Sequence, residues 1–211
     1  MIGQGAAIQR QEQTFLAALW VLTLLAFGVA PADRLTWLLE VAPVMIALVL
    51  MTLTRASFPL TPMLYRLAFL HGLVLILGGH YTYGEVSLGF WLQDIFDLTR
   101  NPYDRIGHFF QGFVLAILAW EILIRKTALR PGKMLFFLVA SVCLAFSAFY
   151  ELVEWWAALA LGQGVDDFLG IQGDPWDTQS DMFMALLGAV SAQFLLSRLH
   201  DRQIESSIRK A

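Results

Sequence analysis

The stretch Gln172-Gly-Asp-Pro-Trp-Asp-Thr-Gln-Ser-Asp-Met-Phe-Met-Ala-Leu-Leu-Gly-Ala-Val-Ser-Ala-Gln-Phe-Leu-Leu196 sets a carboxylate-rich turn directly against an apolar run. Asp174, Asp177 and Asp181 stand at spacings of three and four. If the run is a helix, Asp177 and Asp181 share one face, a turn apart, at its mouth. Carboxylates at a membrane helix mouth are costly unless water, a cation or a basic partner neutralises them. The remainder of the chain is therefore read for further spans and for that partner.

Spans are plentiful. Of 211 residues, 58% are apolar and only 15% charged, where a soluble domain carries roughly a quarter charged residues. Mean hydropathy is +0.63. Apolar runs long enough to approach a span lie at 14–30, 35–53, 60–79, 107–124, 134–161 and 181–199. The fold class expected is all-α, a polytopic membrane protein with a bundle of six transmembrane helices, forming a single membrane-embedded domain over 1–211. The first run is read as a helix and not as a signal peptide, because it is long for a signal core and Pro31 would follow the cleavage site. A net charge of −3 makes no case for a nucleic-acid partner. The single cysteine, Cys143, lies in an apolar run, which excludes disulfides and thiolate metal clusters and assigns it to packing.

Charge asymmetry orients the bundle. The 124–134 connection holds Arg125, Lys126, Arg130 and Lys133 and no acid, so it is expected on the cytoplasmic side. With six spans, that side also receives Arg10, Arg55, Arg198, Arg202, Arg209 and Lys210, making 10 of the 14 basic residues. The opposite side receives Asp33, Glu85, Asp94, Asp97, Asp104, Asp166, Asp167, Asp174, Asp177 and Asp181, or 10 of the 17 acids. Both termini are then expected inside. On the outer side, Val86–Phe96 is apolar yet too short to span; it reads as an interfacial helix, a cap, or a loop touching headgroups.

Given this topology, most ionisable groups within the spans fall in one outer layer. Asp104 and His108 are four apart, with Gln111 a turn further; Glu151 and Glu154 are three apart, preceded by Ser147. Asp177 and Asp181 open the last span, His80 closes the third, and Glu40 lies about two turns into the second. So many carboxylates cannot all stay charged in low dielectric: some are protonated, or a cation holds them. Bundles build metal sites from inward-facing acids and imidazoles at turn spacing. Asp104, His108, Asp177 and Asp181 are the expected ligands of a divalent ion. Mixed imidazole and carboxylate ligation suits zinc, manganese or iron. Glu151 and Glu154 are the expected proton acceptors, and His80, Asp174 and Gln111 the rim of the cavity.

Single residues also have plainer roles. Asp104 follows Asn101-Pro102 and reads equally well as a helix cap, and Asp177 or Asp181 as an acid favoured by the helix dipole. Arg105 is the nearest organic counter-ion. Deeper in the bundle, Arg66 is expected to pair with Glu121 or another inner-half carboxylate, with Arg125 as competitor for Glu121, and His71 is read as packing.

Four ordered blocks carry a resemblance: His80-Tyr-Thr-Tyr83, Asn101-Pro-Tyr-Asp-Arg-Ile-Gly-His108, Tyr150-Glu-Leu-Val-Glu-Trp155, and Gln172 through Met182. Through them the chain resembles the YjdF-like family of bacterial inner-membrane proteins over nearly its whole length. The resemblance implies a multi-pass protein of the bacterial inner membrane and that these blocks belong together; it supplies no reaction. Asp104-x-x-x-His108 also looks like a motif of membrane zinc hydrolases of the alkaline-ceramidase type, but their His-x-x-x-His is absent. That likeness is one of layout alone.

Three functions are compatible with this pattern. The first is a metal-dependent hydrolase acting on a lipid or lipid-linked substrate at the periplasmic leaflet. The second is a cation- or proton-coupled transporter, although the inner half offers only Arg66, Glu121 and His71 to continue a polar path. The third is a non-catalytic membrane partner protein whose outer layer is a structural ion network.

Overall fold

The computed structural model describes residues 2–161 and 172–208. Helices follow one another as α1 (Ile2–Gly28), α2 (Arg34–Thr54), α3 (Pro62–Tyr81), α4 (Ser87–Phe96), α5 (Tyr103–Lys126), α6 (Lys133–Leu161) and α7 (Asp177–Ile208), with a 3-10 turn at Tyr83–Glu85. All regular structure among the described residues is helical. Five helices, α2, α3, α5, α6 and α7, are long and apolar enough to cross a membrane. Helix α1 has 27 residues, but Arg10 and Glu12 keep its first half polar, so its apolar stretch begins only near Thr14.

Local chemistry fixes where the helices start. Asp33 caps α2 by accepting from the Thr36 amide at 2.7 Å, which also holds its carboxyl below the usual carboxylate range. Helix α5 begins at Tyr103, four residues before the expected apolar boundary, because the Asn101 side-chain carbonyl accepts from the Tyr103 amide at 3.0 Å. The N-cap position is Pro102, and the side chain that bonds the first helical amide is that of Asn101 before it, not that of Asp104. Helix α7 likewise begins at Asp177 and not 181; Asp174 Oδ1 accepts from the Trp176 amide at 2.9 Å and turns the chain into it. Both shifts bring an aspartate into a first helical turn, where the dipole favours negative charge.

Helix α5 is the centre of the bundle, and its closest neighbour is α7. A Cβ on Gly112 would collide with the carbonyl of Ala185, and one on Gly188 with the carbonyl of Phe109. The two backbones thus touch, and Ala189 and Ala192, fully buried, continue the small-residue seam along α7. Cys143 of α6 packs against this crossing, its Sγ 3.8 Å from the Gly112 carbonyl. On the far side, the Trp20 indole of α1 fills the notch at Gly72 of α3, and Gly79 admits Glu40 and Val41 of α2.

The segment expected as a cap or interfacial element is helix α4. Its Gly89 sits under the Asn101 side chain, which donates to the carbonyls of Gly84 and Val86 at 2.9 and 3.0 Å. Leu88, Phe90, Trp91, Ile95 and Phe96 are left exposed.

Candidate cation site

One end of the bundle collects the acids. Helix α5 contributes Asp104 and His108, α7 contributes Asp177 and Asp181, and α6 contributes Ser147 and Glu151, all six buried. The ordering comes from below: Asn101 and Gln172 clasp each other, the Asn101 amide donating to Gln172 Oε1 and Gln172 Nε2 to the Asn101 carbonyl, each at 3.1 Å. This pair joins the entry of α5 to the turn before α7. The glycine crossing then sets the two helices at a separation where their acids meet.

One potential ligand atom from each of Asp104, His108 and Asp181 lies within 4.8 Å of the other two. His108 Nε2 is 3.6 Å from Asp104 Oδ1 and 3.8 Å from Glu151 Oε1. These distances exceed a hydrogen bond. The groups face one another without bonding. Among the described residues, His108 Nδ1, Asp181 Oδ1, Glu151 Oε1, Gln111 Oε1 and Ser147 Oγ are buried without a hydrogen-bond partner. Native interiors leave few such atoms; three of these five belong to the facing groups, and Gln111 and Ser147 stand about a turn away along α5 and α6.

The expected ligands divide into two groups. Asp104, His108 and Asp181 converge, with Glu151 beside them. Asp177 instead accepts from Arg100, whose guanidinium also reaches Asp174 at 3.5 Å and Asp104 at 3.9 Å. Asp174 in turn takes Arg105 at 2.8 Å. Arg100 is buried and reaches three of the acids, a larger share than Arg105, the counter-ion expected from the sequence. Arg100 lies in the connection before α5, where helical spacing carries no signal.

The other expected residues lie as follows. Glu154 is half-buried and lies against Glu151, as does Thr178. Gln111 is half-buried. Glu40 is buried and bonded to the Tyr83 side chain, and Tyr83 also packs on Gly107 of α5. His80, expected at the rim, turns to α1: its Nδ1 is 2.7 Å from the Phe27 carbonyl, and its ring packs on Phe27 and Tyr81. His71, read as packing, keeps a buried Nε2 with no hydrogen-bond partner among the described residues. Asp166 and Asp167 lie outside the described residues.

At the other end of the bundle the expected Arg66–Glu121 pair is not formed. Arg66 bonds Glu12 of α1, at 2.6 and 3.1 Å. Glu121 accepts from the Thr61 amide and hydroxyl and from Arg125 Nη1 at 2.6 Å, and His200 Nε2 lies 3.0 Å from its Oε2. Arg66 is exposed and points to α1, whereas Arg125 sits one turn from Glu121 on the same helix. The α5–α7 contact delivers His200, a partner that spacing alone does not reveal.

A helical bundle with several apolar spans and an acid–imidazole cluster buried at one end defines an integral, multi-pass membrane protein. The chain belongs to the family described as predicted membrane protein (DUF2238), whose pattern matches residues 12–202. It is similar to inner membrane protein YjdF of Escherichia coli (strain K12), 57% identical over 183 residues that cover 87% of this chain and 88% of that one. No solved structure matches it. The chain is a multi-pass protein of the bacterial inner membrane.

Proposed function

We propose that this protein is a membrane-embedded, metal-dependent hydrolase whose divalent cation is held by Asp104, His108 and Asp181. The observation that carries the reading is the convergence of these three buried groups, from two helices, within 4.8 Å. Three protein ligands is the number used by catalytic sites, which keep a fourth position open, where structural sites use four, and the mixed donor set fits zinc, manganese or iron. A cation bound there lowers the pKa of a coordinated water. Glu151, adjacent to His108, is the proton acceptor, with Glu154 beside it. Arg100 and Arg105 hold Asp174 and Asp177 in the wall of the site, which leaves Asp177 a wall residue in place of a ligand. The exposed apolar face of α4 sets the mouth at the headgroup layer, so the substrate is a lipid or lipid-linked molecule.

The orientation belongs to the same proposal: six spans including α1, both termini cytoplasmic, and the site at the periplasmic face. Cysteines introduced at position 129 and near residue 205 resist membrane-impermeant thiol reagents in intact cells, while one at position 168, outside the described residues, reacts. Labelling of position 129 from outside would invert the assignment.

A structural ion network is the second reading, favoured by the two arginines. Elemental analysis of the purified protein separates them. The hydrolase reading expects about one metal per chain, lost in Asp181→Asn; a metal-free protein that melts unchanged in chelator supports the network.

A further inference from the structure

Helices α5, α6 and α7 also enclose a groove of about 530 Å³ at the end remote from the acidic cluster. Its walls are Lys133, Phe136, Gln193, Phe194, Arg198 and Asp201. Along α7 the twenty residues from Asp181 to Asp201 rise about 30 Å, the thickness of a bilayer's hydrocarbon core. The groove therefore opens at the opposite headgroup layer from the cation site. Its position does not depend on what the cation site does.

The lining is two-sided in chemistry. Phe136 and Phe194 pack ring to ring with centroids 5.4 Å apart, and Phe194, with neighbouring Met134, Phe137 and Leu195, is exposed toward the bilayer. At the mouth stand the exposed cations Lys133 and Arg198. Lys133 is the first residue of α6, whose first turn contains no acid, so the helix dipole adds to the positive field. The one acid of the lining, Asp201, accepts from the Trp120 indole at 2.8 Å. Between the two halves sits Gln193, 3% exposed, whose Oε1 has no hydrogen-bond partner among the described residues while its Nε2 donates to the Ala189 carbonyl. A buried carbonyl oxygen between an aromatic floor and a basic mouth requires a donor.

An apolar floor open to the bilayer, a cationic mouth at the headgroup layer and a lone acceptor between them together describe an amphiphile with a phosphate and a hydroxyl or ammonium donor. We infer that this groove is a binding site for a phospholipid, whose phosphate is taken by Lys133 and Arg198, whose headgroup donor meets Gln193 or Asp201, and whose acyl chain lies on Phe136 and Phe194. In the proposed orientation it draws from the cytoplasmic leaflet.

The test is thermal unfolding of the purified full chain in detergent, titrated separately with dioctanoyl phosphatidylglycerol, dioctanoylglycerol and inorganic phosphate. A specific site gives a saturable rise of about 5 °C with the phospholipid alone. Lys133→Gln with Arg198→Gln weakens the apparent affinity about 10-fold or more and leaves the lipid-free Tm in place. Should that double variant fail to fold, Ser197→Trp fills the groove and abolishes the shift. An equal rise with dioctanoylglycerol would reduce the groove to non-specific apolar filling, and an equal rise with phosphate would make it a soluble-anion site; either overturns the inference. So does a folded variant that responds like the parent. Chelator leaves the lipid shift unchanged, so loss of the cation site and loss of the lipid site are told apart.

Discussion

The two ends of α5 each bury a glutamate or aspartate beside a histidine, and they do so to opposite effect. At the Glu121 end every carboxylate oxygen is taken, by Thr61, Arg125 and His200, at 2.6–3.2 Å. At the Asp104 end the corresponding gaps are 3.6–3.9 Å, and buried acceptors are left over. A polar group closed by its own neighbours rigidifies a fold; one held slightly apart by surrounding structure is ready for an outside partner. The same residue types are a strut at one end and, in the proposed function, a receptor at the other. What differs is the satisfaction of each oxygen, not the burial.

One substitution, glutamate to glutamine, probes both ends. Glu121→Gln strikes the closed network and has the largest effect. It leaves the Arg125 guanidinium without its counter-charge and Thr61 and His200 with a poorer acceptor, at a cost of about 3–5 kcal/mol. The expected result is a steep fall in melting temperature with metal content unchanged. A Glu121→Gln protein that kept its stability but lost metal would mean the two ends had been assigned the wrong way round.

Glu151→Gln and Glu154→Gln come next, and here the sign carries the information. With a cation in place, each variant loses a charge that the cation balances, and stability falls by about 1–3 kcal/mol. Chelator then destabilises the parent and narrows its gap to the variants. Without a cation, the same changes relieve repulsion among Asp104, Glu151 and Asp181 and raise the melting temperature. Stabilisation by both, with a parent indifferent to chelator, would remove the contrast between the ends.

The smallest effect belongs to Glu12→Gln. The Arg66 guanidinium holds the Glu12 carboxyl below the usual carboxylate range, but both groups are solvent-exposed in part, so the pair contributes at most about 1 kcal/mol. Because the folded value is the lower one, the contribution is in force above the unfolded carboxylate pKa and fades as the pH falls through the folded value. Parent and variant should therefore melt alike at low pH and differ slightly at neutral pH. A gap that widened on acidification would show that Arg66 and Glu12 do not meet.

Much of the fold could be read from the chain because apolar runs declare membrane helices directly, and the i,i+4 spacing of Asp104 with His108 and of Asp177 with Asp181 declares shared faces. Helix starts were less legible. The Asn101 side-chain bond and the Asp174 turn are polar features lying outside the apolar runs, so hydropathy placed α5 and α7 about a turn late. Arg100 was missed for the same reason: it sits in a connection, where periodicity says nothing of direction. The Glu121–His200 contact, 79 positions apart in sequence, depends on α5 choosing α7 as its closest neighbour. The close approach at Gly112 and Gly188, with the Ala189–Ala192 seam and the Asn101–Gln172 clasp, sets that choice. The misassigned Arg66 followed from judging proximity by depth without knowing which helices adjoin.

That choice of neighbour bears on how the protein is made. Chains enter the membrane in order of synthesis, so while α6 is added α5 holds Asp104 and His108 without Asp181, and Glu121 with Thr61 and Arg125 but without His200. Only the arrival of α7 brings Asp181 to one end and His200 to the other, in a single docking event along the glycine seam. A nascent chain stopped before residue 177 lacks partners at both ends at once. The last described helix thus acts as a keystone, the one element whose arrival completes both ends of α5.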